Sequence, residues 1–196
     1  LKLVKIKGKK IKDMEKQDLK SNQSIPNEHK EISQKNPLVA IACPSTKILD
    51  DLKDTKNVLD LFEVTSEITV VAAHRSPKKT LRYAQQLEAR GVDMVIAAGI
   101  GSAHLPGMIA SLTAIPVIGI PLRSNFQDGM DSLLSILQMP PGVPVGTMGI
   151  NSSHNAGIFA CQILSLKYPY LKEKIRSYKE ALEKEVESED LRLKNG

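Results

Sequence analysis

Residues 70–79 read VVAAHRSPKK, an apolar run that ends abruptly on His74 and Arg75. Imidazole is the side chain that both gives and takes a proton near neutrality. Guanidinium is a permanently charged planar fork that suits phosphate or carboxylate. Side by side, the two point to an acid/base step performed next to an anion. An isolated His-Arg pair would equally serve as a helix cap and a surface ion pair, so its position in the fold has to decide. A second stretch, AAGIGSAHLPGM over 97–108, offers Gly99, Gly101, Ser102, His104 and Leu105. Its small residues let backbone N–H groups approach an anion or a small planar ligand. A tight strand-to-helix turn would look the same, with His104 holding the loop rather than reacting. Neither GxxxxGK[ST] nor GxGxxG is present, so the nucleotide fingerprints built on them are excluded. A third stretch, Pro44-Ser45-Thr46-Lys47, offers hydroxyls and an ammonium to a phosphate, although Ser45 or Thr46 serves equally well as a helix N-cap. Asp128, Asp131 and Gln138 show no metal-ligand spacing; Asp131 reads as a first-turn acid favoured by the helix dipole. No metal site and no Ser/His/Asp triad is expected.

These residues need elements to hold them. Short β-branched runs alternate with helical patterns from Pro37 onward. Strands are expected at 38–43, 68–72, 94–98, 117–120 and 145–148. Between them, Leu52, Val58, Leu59 and Phe62 mark one helix face. Ser76-Pro77 opens a helix that runs to about Arg90, with Ser76 as N-cap. Further helices are expected at 105–112, 129–137 and 155–166, with Leu133, Leu134 and Leu137 read as core. Leu171, Ile175, Tyr178 and Leu182 form the stripe of a final amphipathic helix. Continuous apolar strands separated by helices imply a parallel sheet covered on both faces. The expected fold is α/β: a three-layer, flavodoxin-like, doubly wound parallel sheet of about five strands, with an extra C-terminal helix. In strand order 2-1-3-4-5 the crevice lies at the carboxyl ends of strands one and three. The loops carrying Ser45, His74 and His104 should converge there, which tips the His-Arg pair toward function.

Composition narrows the field. The chain has 196 residues, 41% of them hydrophobic and only 4% aromatic, so its core must be aliphatic and base-stacking platforms are scarce. Of the +5 net charge, residues 1–36 supply all: they hold 10 Lys and 5 acids, leaving 17 basic and 17 acidic residues in the remainder. A neutral body argues against nucleic acid, and 1–36 reads as a flexible Lys-rich arm or inter-domain linker. Cys43 and Cys161 lack ligand spacing and read as buried, reduced thiols of a cytoplasmic protein. No apolar run reaches membrane-span length, and no signal peptide is recognisable. The opening residue is Leu1 rather than Met, as expected of a fragment or of one domain cut from a longer polypeptide. The expected division is 1–36 arm, 37–166 domain, 167–196 C-terminal helix and tail.

Three phrases, AAHRSP, SAHLPGM and GMDSLLSILQMPPGVPVGT, go beyond fold logic. In combination they resemble the class I N5-carboxyaminoimidazole ribonucleotide mutases, also known as phosphoribosylaminoimidazole carboxylases, of purine biosynthesis. The resemblance spans about 38–166, and the NSSHNAGIFA stretch is closer to the fungal form, in which this domain follows an ATP-grasp carboxylase domain. It implies a homo-octamer with active sites at subunit junctions. It also implies a reaction on an imidazole ribonucleotide and CO2 that needs no metal or organic cofactor. His74 matches the family's acid/base histidine, Arg75 its phosphate-binding arginine and Ser45 the first serine of the strand-one loop. Residues 101–104 match the glycine-rich loop facing base and carboxylate.

The substrate-binding set implied by the resemblance is Ser45, Thr46, Lys47, Ile48, Ala72, Ala73, Arg75, Gly99, Gly101, Ser102, His104 and Leu105. Several positions depart from the family pattern. Lys47 and Ile48 stand where a serine and a ribose-binding aspartate are usual. Ala72 replaces a serine, Ile100 a glycine and Pro141 an arginine. These departures motivate an alternative: a catalytically impaired homologue kept as an oligomerisation domain of a larger enzyme.

Overall fold

The computed structural model describes residues 36–195, so the expected arm lies, except for Asn36, outside the described residues. Five strands form one sheet: β1 (Leu38–Cys43), β2 (Thr65–Val70), β3 (Met94–Ile100), β4 (Val117–Leu122) and β5 (Gly146–Thr147). All pairs are parallel, in the order β2-β1-β3-β4-β5. Among the described residues, six α-helices accompany them: α1 (Lys53–Leu61), α2 (Pro77–Gln86), α3 (His104–Ala110), α4 (Met130–Leu137), α5 (Ser153–Leu164) and α6 (Tyr170–Asn195).

Alternation along the strands sorts the core into two halves. Val39, Ile41, Met94, Ile96, Ile118 and Ile120 face Val58, Leu59, Ala160 and Leu164 of α1 and α5. Ala40, Ala42, Val95 and Ala97 face Tyr83, Ala84, Leu105 and Ile109 of α2 and α3. The resulting helix-sheet-helix sandwich is the expected three-layer fold. Where α1 crosses α5, Gly157 permits the approach: a Cβ there would lie 2.8 Å from the Val58 side chain. Thr55 Oγ1 seals the same crossing by donating to the Ser153 carbonyl at 2.8 Å.

Some expectations are corrected. β2 begins at Thr65 rather than Ile68 and ends at Val70 rather than Ala72. It is an edge strand, so polar Thr65, Ser66 and Glu67 are tolerated in the ladder, paired with Leu38, Val39 and Ala40. Leu134 and Leu137, expected in the core, are 46% and 56% exposed, and Leu133 is half-buried. It is Ser132 and Ile136 that α4 buries. On α6, Leu171 and Ile175 are buried, but Leu182 is 44% exposed because the helix has left the body by that turn.

Candidate active site

β1, β2 and β3 run parallel, so their carboxyl ends open at one edge of the sheet, beside the switch point between β1 and β3. A cleft of about 270 Å³ lies there. It is lined by Pro44 after β1, by Ala72, Ala73, His74 and Arg75 after β2, and by 98–100 and 102–105 after β3.

The turn bearing His74 is closed from both sides. The Ser76 N–H donates to the Ala72 carbonyl at 2.9 Å. The Ala72 N–H donates to Ser76 Oγ at 3.2 Å, and that hydroxyl donates back to the Ala72 carbonyl at 3.1 Å. Ser76 does occupy the N-cap position of α2, but its hydroxyl makes no capping bond to the helix. It clamps the catalytic-looking turn instead, a role that capping rules do not reveal. Arg75 reaches across and donates through Nη2 to the Pro44 carbonyl, tying the β2 loop to the β1 loop.

On the other wall, His104 begins α3. Its ring meets the His74 ring edge to face, with centroids 4.5 Å apart. The backbone before it is tightly folded. Gly101 has φ +64°, and a Cβ on Gly99 would sit 2.7 Å from Ala103 Cβ. Glycine meets both demands without steric cost. The Gly101 N–H donates to Ser132 Oγ at 2.8 Å, and Ser132 is completely buried. Asp131 supports this contact: its Oδ1 accepts the Ser132 N–H at 2.8 Å and the Ser124 hydroxyl at 2.6 Å. The Ser124 hydrogen bond is the main reason the Asp131 carboxyl lies below its usual value. Reading Asp131 as a dipole-favoured acid missed this scaffold. The available signal was Ser132, four residues before Ile136 and so on the buried stripe of α4.

The strand-one loop is disposed differently. Ser45 Oγ accepts the Lys47 N–H at 3.2 Å and caps the 3₁₀ turn Thr46–Ile48. Thr46 and Lys47 are exposed, whereas Ile48 is 8% exposed and packs into the α1/α5 half of the core. Of residues 44–48, Pro44 alone lines the cleft. The cleft thus brings together Ala72, Ala73, His74, Arg75, Gly99, Ser102, His104 and Leu105, with Gly101 in the supporting turn. Burial raises the Cys43 thiol at the end of β1, keeping it neutral. Among the described residues, no three His, Cys, Asp or Glu side chains are grouped to hold a metal ion.

Adjoining the imidazole pair lies a second hollow of about 430 Å³, predominantly apolar. Ala73, His74 and His104 belong to both cavities, and Met108, Met139, Pro140 and Val143 complete the apolar one. The site can therefore offer proton-transferring groups, a cation and backbone donors on one side, and an apolar surface on the other.

Comparison with known families matches AIR carboxylase over residues 38–185. The N5-carboxyaminoimidazole ribonucleotide mutase of Pyrococcus horikoshii is 46% identical over 157 residues, covering 80% of this chain and 89% of that protein. The phosphoribosylaminoimidazole carboxylase of Schizosaccharomyces pombe is 47% identical over 143 residues, covering 73% of this chain but 26% of the fungal protein. The crystal structure of Treponema denticola PurE superimposes with a TM-score of 0.71 at 23% identity, over 81% of this chain and 99% of that one, a likeness of fold. The family match takes in the whole sheet and every loop of the cleft, and the archaeal relative keeps nearly half of the same residues; the chain belongs to the AIR carboxylase family.

Proposed function

We infer that the chain is an enzyme of de novo purine biosynthesis. It forms 4-carboxy-5-aminoimidazole ribonucleotide from N5-carboxyaminoimidazole ribonucleotide, or from aminoimidazole ribonucleotide and CO2. The observation that carries this reading is His74, standing at the mouth of the cleft against His104 and beside Arg75. In the mutase direction the His74 imidazolium protonates the exocyclic nitrogen of the carbamate. The carbon–nitrogen bond breaks and CO2 is released within the cleft. The ring carbon then attacks CO2, a carbon–carbon bond forms, and the proton on that ring carbon passes to neutral His74. One imidazole gives a proton and recovers one, so no external acid or base is consumed. Holding CO2 against the ring removes a bimolecular encounter, and the apolar hollow adjoining the histidines suits a neutral gas molecule.

Arg75, with Ser45 and Lys47 nearby in the β1 loop, anchors the ribonucleotide phosphate. Gly99, Gly101, Ser102, His104 and Leu105 face the base and carboxylate. Ile48 contributes shape to the loop rather than a hydrogen bond to ribose. The proposed organisation is a homo-octamer in the cytoplasm, without metal or organic cofactor. Supporting assembly, α4 carries an exposed apolar row of Met130, Leu134 and Leu137, and Phe126 just before it is 61% exposed. Fusion to an ATP-grasp domain accords with the fungal relatives, of which this chain covers 26–27%.

The test is direct. Purified protein given N5-carboxyaminoimidazole ribonucleotide is expected to form the 4-carboxy product, and His74→Asn to abolish it. An assembled wild-type protein that neither turns over nor binds aminoimidazole ribonucleotide would leave the oligomerisation-domain alternative standing.

A further inference from the structure

The cleft wall after β3 is not self-supporting. From Ile100 to Ala103 it is a turn held internally by the Ala103 N–H donating to the Ile100 carbonyl at 3.3 Å. Two of its residues take left-handed backbone, Gly101 at φ +64° and Ala103 at φ +42°. A glycine in this region has many alternatives, so something outside the turn must select the observed one. The selecting contact is the 2.8 Å hydrogen bond from the Gly101 N–H to Ser132 Oγ, made from another helix, 31 residues on. Ser132 is fully buried, so water cannot replace it. Its own position is fixed by Asp131, which in turn takes the Ser124 hydroxyl. The start of α4 is itself pinned: Gly129 has φ +96°, and a Cβ there would lie 3.0 Å from Arg123 Cα. From the end of β4 to the Gly101 amide there is an unbroken polar chain, and His104 follows three residues later.

Resting on the functional reading above, we propose that Ser132, braced by Asp131 and Ser124, is a positioning residue: it sets the glycine turn so that His104 meets His74 and the turn's backbone faces the substrate. None of the three lines the cleft. They act through Gly101, so they should affect the rate of the chemical step more than substrate capture, which is assigned to Arg75.

The experiment compares Ser132→Ala with Ser135→Ala in the full chain. Ser135 also spends its hydroxyl on α4, donating to the Asp131 carbonyl at 2.7 Å, but does not touch the turn. In Ser132→Ala, kcat is expected to fall about 100-fold with KM changed less than about threefold, since a displacement near 1 Å costs on that order. The Gly101 amide should exchange at least about tenfold faster, and the His104 imidazole NMR signals should shift. Ser135→Ala should leave all three unchanged. If Ser132→Ala does not fold, Asp131→Asn and Ser124→Ala, which leave the buried hydroxyl in place, should lower kcat about three- to tenfold with the same pattern. Unchanged Gly101 exchange and His104 signals overturn the proposal, as does an unchanged kcat in an active enzyme. The NMR and exchange readouts need no substrate. An inactive wild type therefore refutes the functional reading alone, while these two signals still decide the role of Ser132.

Discussion

At the scale of single residues, the proposed chemistry separates a group that would react from groups that hold. His74 and Arg75 are exposed and adjacent, yet only Arg75 is tethered, to the Pro44 carbonyl. Replacing His74 by Asn should cost at least about 10³-fold in kcat, toward the upper end of what acid/base catalysis contributes. Melting should stay within a few degrees of wild type, because an exposed ring supports little packing. Arg75→Ala should instead raise KM about 10- to 100-fold, the loss of a charge-assisted hydrogen bond to phosphate; steady-state kinetics on both variants checks the division. That the His-Arg pair and the glycine turn meet at one cleft was legible in the sequence, because the order of apolar strands places their loops at the same sheet edge. Ser76 and Ser132 were not. A serine hydroxyl bonds to whatever the fold brings near it, and the partner of Ser132 lies 31 residues away.

At the scale of elements, the five strands and their order follow from apolar runs interrupted by helical patterns. Boundaries drifted where a strand is only half covered, as in β2, because edge pairing accepts residues that a buried strand rejects. The stripe on α4 is ambiguous for a related reason. Periodicity identifies an apolar face but not what covers it, so Leu134 and Leu137 looked like core and are exposed in the single chain. If that face joins copies of the chain, Leu134→Glu with Leu137→Glu should yield smaller species in sedimentation while far-UV circular dichroism is unchanged. The α1/α5 crossing gives a prediction about packing alone. Gly157→Ala should lower stability by about 1–3 kcal/mol, because its methyl group would press on Val58. Denaturant unfolding measures the loss.

At the scale of the whole molecule, two buried groups link stability to pH. Burial pushes the Cys161 thiol up from 9.0 to about 12, and Tyr83 up from 10.0 to about 12. Both folded values lie above the unfolded ones, and the neutral form is the one the core accepts. Their contribution is complete below about pH 9 and is lost as pH rises toward 12. Cys161→Ala should therefore flatten the fall of stability over that window, as followed by unfolding at several pH values.

The sheet's two edges carry a further consequence. β5 is two residues long, and β2 places Ser66, Glu67 and Thr69 among its apolar positions, with Glu67 ion-paired to Arg90. Neither edge offers a long apolar template for another strand. At high concentration the chain is thus guarded against growing into ribbons, and crowding should drive copies together through helix faces, where contacts can close on themselves. Removing the guard, as in Glu67→Val, should appear first as thioflavin-binding aggregates during refolding, before any change in the rate of the enzyme.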